Sequence, residues 1–153
     1  MRSADSGLAQ CRFGRSFKRV WQGACGKFAQ VLASSIGWIC IASGLITAGA
    51  GLAALVLPHL FLRLGFGVES PNDSLRFFVQ HWGVLICVVG LLIVYSAYAP
   101  SIRTPVLVAA AVEKLAIGIL AVVGPMKRTT TMTAMAVGDG VFAIFYLAYL
   151  AGL

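Results

Sequence analysis

Three ionisable residues lie deep inside apolar stretches of this 153-residue sequence. Glu113 and Lys114 are in the middle of the apolar run 106–123, and Asp139 is about nine residues into the apolar segment 131–150. A helix rises about 1.5 Å per residue, so both carboxylates would lie roughly 12 to 14 Å inside a hydrocarbon layer about 30 Å thick. A charge at that depth costs about 2.5 to 3.5 kcal/mol on insertion scales. We therefore expect these side chains to face other helices, water or a partner charge.

Two interpretations of these charges are open. In the first they form a proton, ion or ligand site, which is the usual role of ionisable residues inside a membrane. In the second they form a structural clamp, in which Lys114 or Arg76 neutralises the carboxylates of Glu113 and Asp139. Lys114 is about 100° around the helix from Glu113 and could lean toward an interface, so these two neighbours need not pair. Because no catalytic motif is recognisable, we expect the clamp.

A further group of polar residues opens the preceding apolar segment. Arg76, Gln80 and His81 fall within about a turn and a half of helix near one membrane interface, and we include them in the candidate polar cluster. Phe77 and Trp82 beside them suit an aromatic belt. This end of the segment could therefore also be a simple interfacial anchor.

The sequence predicts no catalytic residue, no metal site and no cofactor. No cysteine or carboxylate shares a metal-ligand spacing with His59 or His81. The cysteines also lack a CxxC spacing, so we interpret them as small packing residues: Cys11, Cys25, Cys40 and Cys87. Haem ligation by the two histidines, which should lie on the same membrane face, is an alternative. An enzyme would need a nucleophile or metal that the sequence does not provide, and we expect no nucleic-acid partner.

Composition and apolar segment lengths predict the fold class. With 59% hydrophobic and 11% charged residues, the chain is too apolar for a soluble domain of this size. Segments near the roughly 20 residues that a span requires cover about 36–62, 77–98, 104–123 and 131–150. Pro100, Pro105 and Pro125 should lie at or beyond helix ends, and Asn72 could cap the second helix. We predict an all-α integral membrane four-helix bundle over residues 36–153, with sequential helices as antiparallel neighbours.

Small residues recur at every seventh position in the first two segments. They are Gly37, Gly44 and Gly51 in the first and Gly83, Gly90 and Ala97 in the second. A heptad repeat of small residues allows a close, left-handed helix contact. We predict that these two rows, the small-residue seam, pack against each other. Flexibility for gating is the alternative.

Residues 1–35 form a separate, basic N-terminal arm. Most of the formal net charge of +7 originates here. On a helical wheel the large apolar side chains share one face and most bases the other, which predicts a basic amphipathic helix lying in the membrane surface. The residues assigned to lipid or partner binding are Arg12, Phe13, Arg15, Phe17, Lys18, Arg19, Trp21 and Phe28. A mitochondrial or plastid presequence has a similar composition. Expected partners are membrane lipids, including anionic ones such as cardiolipin, and other membrane-protein subunits.

Short motifs in the apolar part of the chain resemble a known family. Gln-His-Trp-Gly at 80–83, Glu-Lys at 113–114 and Gly-Asp at 138–139, in four short-looped helices, are similar to small bacterial four-helix membrane proteins of the DoxX-like group. The resemblance covers residues 44–152. It implies a small membrane subunit linked to a quinone-dependent redox enzyme.

Two classes of function are open. We expect a non-catalytic accessory subunit of a larger complex in a mitochondrial or bacterial inner membrane, because the basic arm, the short loops and the small-residue seam favour assembly. The alternative is a stand-alone module that binds or moves a small ligand, a quinone or protons through Glu113, Lys114 and Asp139. The overall distribution of Lys and Arg favours both termini on the cytoplasmic or matrix side.

Overall fold

A computed structural model describes residues 32, 34–124 and 129–152. Within these residues the helices are α1 (Ser34–Val56), α2 (Pro58–Phe66), α3 (Asp73–Tyr98), α4 (Pro100–Val123) and α5 (Thr130–Leu150). Among the described helices, α1, α3, α4 and α5 are long and apolar enough to cross a membrane. The predicted all-α, multi-pass membrane fold is confirmed. The assigned residues of the N-terminal arm lie outside the described residues.

The first predicted helix is divided in two by a proline. The predicted span 36–62 is wrong at its C-terminal end, because α1 ends at Val56 and the short helix α2 begins at Pro58. Proline has no N–H to donate to the preceding turn and its ring clashes there, so the helix breaks. Gly67 then ends α2 in the left-handed conformation at φ 67°, where its N–H bonds the carbonyl of Arg63 at 3.1 Å. The short helix α2 therefore covers one end of the bundle.

The remaining spans begin earlier than predicted. α3 begins at Asp73, and the side chain of Asn72 caps it by accepting from the N–H of Leu75 at 2.8 Å. α4 begins at Pro100 and includes Pro105, which corrects the prediction that Pro105 lies at a helix end. The first N–H groups of a helix have no partner within the helix, so Pro100 suits the first position of α4, whereas Pro105 lies inside the helix and removes the bond that an N–H would make to the carbonyl of Ser101. The helix α4 is consequently about one turn longer than the sequence predicts.

Helices α1 and α3 meet along the small-residue seam. A Cβ placed on Gly44 would lie 2.6 Å from the carbonyl oxygen of Gly90, and one placed on Gly51 would lie 2.7 Å from that of Gly83. The two backbones approach this closely only because no side chain separates them. Gly37 is an exception, since a Cβ there would meet no atom within 4 Å. The close contact thus contains these four glycines and not Gly37.

Two apolar layers fill the described part of the bundle, one toward each end. The layer near the start of α1 and the end of α5 is made of Ile36, Cys40, Ile93, Leu107, Ala110, Ala111 and Tyr146, with Ala97 packed against it. The layer under α2 is made of Ala54, Leu62 and Val79. The ionisable residues of α4 and α5 lie between these layers. Their position makes the middle of the bundle the candidate functional site.

Candidate functional site

Lys114 is the centre of the polar layer. Its side chain is 2% exposed and forms an ion pair with Asp139, whose side chain is 21% exposed. Its Nζ also donates a hydrogen bond to Thr47 Oγ1 at 3.1 Å. Lys114 therefore links α4 to both α5 and α1. Lys114 does not lean toward a membrane interface, which its long stem would allow, because the ammonium finds both partners within the bundle.

Glu113 lies beside this ion pair without joining it. Its Oε2 is buried and has no hydrogen-bond partner among the described residues. The clamp predicted from the sequence is therefore corrected: Lys114 and Asp139 form it, and Glu113 is outside it. A buried polar atom without a partner is uncommon, because it loses its hydration and gains nothing in return.

Two hydroxyl groups form a second polar contact between α1 and α5. The side chains of Ser43 and Tyr146 are hydrogen-bonded to each other, and Tyr146 is fully buried. Ser43 lies one helical turn before Thr47, so α1 presents two hydroxyls in line toward the interior of the bundle. The Ser43–Tyr146 contact closes the polar layer on the side where α1 begins and α5 ends.

A cavity of about 500 Å³ lies next to the ion pair. Its charged and hydroxyl-bearing lining residues are Thr47, Glu113, Lys114, Thr131 and Asp139. Its remaining wall is apolar and partly aromatic: Ile46, Ala50, Phe61, Trp82, Ile86, Ile117, Ala134, Met135, Gly138 and Phe142. The cavity has the volume and the mixed lining that are typical of small-molecule sites.

Two side chains of the cavity wall are also exposed on the outer surface of the bundle. Ile46 of α1 is 62% exposed and Met135 of α5 is 37% exposed, and both line the cavity. A smaller cavity of about 160 Å³ shares Phe61, Thr131 and Met135 with the first and continues beneath α2. The cavity therefore opens sideways, between α5 and the α1–α2 pair.

Arg76 is separated from the buried charges. It forms an ion pair with Asp73 at 3.2 Å, and its Nη2 donates to His59 Nε2. The sequence prediction placed Arg76 in the buried cluster and allowed it to neutralise Asp139, and the structure corrects both points. Arg76 lies in the first turn of α3, where two nearby partners hold its guanidinium at the end of the bundle. The same contact occupies one ring nitrogen of His59, which the haem alternative names as a ligand.

Gln80 and His81 also lie outside the buried cluster. Gln80 Nε2 donates to the carbonyl oxygen of Leu55 at 3.2 Å, near the end of α1. His81 is exposed and its ring stacks on Phe77, with 6.5 Å between ring centroids. Phe77 is 73% exposed, as a residue of an aromatic belt would be. These residues fit the interfacial-anchor alternative.

Trp82 differs from the predicted belt residue. It is only half-exposed, packs on Phe61 with 6.0 Å between ring centroids, and lines the cavity. The prediction missed this position because it depends on Pro58, which starts α2 and brings Phe61 over the cavity. It also missed Thr47. The signal available in the sequence was the spacing of Ser43 and Thr47, two hydroxyl residues one helical turn apart in an apolar span.

The described residues offer no evident metal site, since no group of three or more His, Cys, Asp or Glu side chains within them could hold a metal ion. The site can instead bind by hydrogen bonding, by charge and by apolar contact. No family model, no curated protein and no solved structure matches the chain. Inferences about its function therefore start from the cavity and its lining.

Proposed function

We propose that this multi-pass membrane protein binds a small amphipathic molecule in the cavity that the four spans and α2 line together. The observation that carries the proposal is a cavity of about 500 Å³ that combines an apolar wall with Glu113, Lys114 and Asp139. Ionisable side chains at this depth are costly and mark binding or transfer sites in many membrane proteins. No catalytic step is part of the proposal.

The position of the opening supports a ligand that arrives through the lipid. The rim residues Ile46 and Met135 lie on the outer surface of spanning helices, where lipid chains would contact them. A molecule dissolved in the bilayer could enter between α1 and α5 in either orientation, with its apolar part or its polar part first. Its polar group would reach the buried charges, and its apolar part would contact Phe61 and Trp82.

Trp82 provides a direct test of ligand binding. The chain has three tryptophans, so replacing Trp21 and Trp38 with phenylalanine leaves Trp82 as the reporter. We expect a nitroxide-labelled aliphatic alcohol to quench Trp82 fluorescence in detergent micelles along a saturable curve. A protein that keeps only Trp38, which is 75% exposed, should show quenching that rises in proportion to the probe in the micelle.

A cavity-filling substitution supplies the control. Gly138 lines the cavity, and a Cβ placed there would meet no atom within 4 Å, so Gly138→Leu should fill the space without disturbing a neighbour. We expect this variant to remove the saturable part of the quenching. Gly49→Leu is the matched control, because Gly49 is an exposed residue of α1 with equal free space and no place in the cavity wall. Equal quenching in the two variants would contradict the proposal.

A second candidate is an accessory subunit of a larger complex in an energy-transducing membrane. The basic N-terminal arm favours it, since six Lys and Arg residues accompany a single acid, Asp5, within residues 1–35. A basic segment is attracted to anionic lipid or to an acidic partner surface by about 1 kcal/mol per charge. Relation to the DoxX-like group stays a prediction, and it is compatible with either candidate.

The arm can be tested separately from the cavity. We expect Arg15→Gln, Lys18→Gln and Arg19→Gln together to weaken co-purification of partner chains from native membranes, and more so at high salt. The four spans should remain inserted, because the substitutions precede α1. Co-purification that is unchanged after deletion of residues 1–30 would show that the arm does not hold a partner.

A further inference from the structure

The charges in the cavity wall do not balance. Lys114 forms an ion pair with Asp139, and its ammonium also donates a hydrogen bond to Thr47 Oγ1. Glu113 lines the same cavity, and its Oε2 has no partner among the described residues. When both carboxylates are ionised, the three charged side chains thus carry one net negative charge, located on Glu113.

Aromatic side chains make the rest of the wall suitable for a positive group. Phe61, Trp82 and Phe142 line the cavity together with aliphatic side chains. The face of an aromatic ring attracts cations, and the attraction is strongest where water is excluded. A neutral ligand would leave the Glu113 charge uncompensated, whereas a cation would neutralise it and also use the rings.

We propose that the ligand is an amphipathic organic cation, which pairs with the Glu113 carboxylate and places its apolar body against Phe61 and Trp82. This inference rests on the proposed function and adds the chemical class of the ligand. A proton and an organic cation neutralise the same carboxylate, so they compete for it. When the cation binds the protonated form, the proton leaves to water and the charge of the site is unchanged.

Other titratable groups near Glu113 are few among the described residues. Lys114 is its neighbour on α4, and Asp139 and Tyr146 lie on α5. On α1, Cys40 lies close to Tyr146. The residues that α2 and α3 contribute to the cavity wall do not titrate: Phe61, Trp82 and Ile86. Any pH dependence of ligand binding that remains after the Glu113 carboxylate is removed would therefore come from one of these groups.

The test compares two probes of the same shape. Phenyltrimethylammonium carries a permanent positive charge, and tert-butylbenzene is its neutral isostere. Isothermal titration calorimetry of the full chain in detergent, with Gly138→Leu as the blank for partition into micelles, measures the specific binding of each. We expect the cation to bind at least tenfold more tightly than the isostere at pH 8, and its affinity to fall as acidification protonates Glu113.

Substitutions at two glutamates locate the effect. We expect Glu113→Gln to reduce cation affinity at least tenfold and to remove most of its pH dependence. Glu69→Gln is the matched control, since Glu69 is exposed in the loop after α2, and it should bind the cation like the parent protein. Glu113→Asp keeps the charge and should keep the preference for the cation. If Glu113→Gln does not fold, the ratio of the affinities of the two probes for the parent protein decides.

The outcomes separate this inference from the proposed function. Equal affinity for the two probes, or cation binding that survives Glu113→Gln, would overturn the assignment of an organic cation. If the neutral isostere nevertheless bound in a manner blocked by Gly138→Leu, the ligand-binding function would stand. If neither probe bound above the Gly138→Leu blank, and the nitroxide alcohol gave no saturable quenching, both would fail.

Discussion

Lys114→Met is expected to destabilise the protein by about 3 to 5 kcal/mol, because it leaves Asp139 charged and without its partner inside the bundle. The side chain of Lys114 is 2% exposed and that of Asp139 is 21% exposed, so the ion pair is largely shielded from solvent. Thr47 would lose its hydrogen bond to Nζ at the same time. Unfolding in detergent, followed by circular dichroism during a titration with sodium dodecyl sulfate, would measure the loss.

The double variant tests whether Lys114 and Asp139 stabilise the protein as an ion pair or whether each position simply needs a polar residue. Lys114→Met combined with Asp139→Leu removes both charges, and we expect it to recover much of the lost stability, since an apolar pair avoids the cost of burying charge. Asp73→Asn provides a control at an ion pair whose acid is 98% exposed, where solvent screening makes the loss small. A double variant no more stable than Lys114→Met would contradict the clamp.

Glu113→Gln should not lower stability, because Glu113 has no ion-pair partner there.

Gly90→Ala is expected to destabilise the contact between α1 and α3 by roughly 1 to 3 kcal/mol, or more if the helices cannot separate. The added Cβ would lie 2.7 Å from the carbonyl oxygen of Gly44 and close to the backbone of Ala48. Backbone atoms cannot rotate away as a flexible side chain can, so the two helices must move apart along the seam. The loss would appear as a lower midpoint of thermal unfolding in detergent.

Gly49→Ala is the matched control for the seam. A Cβ at Gly49 would meet no atom within 4 Å, so the same substitution adds no clash in the same helix pair. It should be neutral or slightly stabilising, since alanine favours a helix by about 1 kcal/mol over glycine. Equal effects at Gly49 and Gly90 would show that the close approach of α1 and α3 does not require glycine.

Features that depend on local pattern could be predicted from the sequence. The apolar segments gave the four spans, because length and hydropathy are properties of each segment alone. The heptad of small residues predicted that the two rows pack against each other, since a seam is determined by spacing along each helix, and the structure pairs Gly44 with Gly90 and Gly51 with Gly83. The position of Glu113, Lys114 and Asp139 near the middle of their helices followed from counting residues along each apolar segment.

The partners of the buried charges required the tertiary structure. Glu113 and Lys114 are adjacent in sequence, and only the rotation of α4 against α5 decides which of them meets Asp139. The separation of Arg76 from that pair likewise depends on contacts between elements, namely those with Asp73 and His59 at the end of the bundle. The cavity arises from the packing of four spans and α2. The helix break at Pro58 places Phe61 against Trp82, and both rings line the cavity. Helix rotation and register come from the sum of many small packing contacts, and a linear pattern of residue types does not contain that sum.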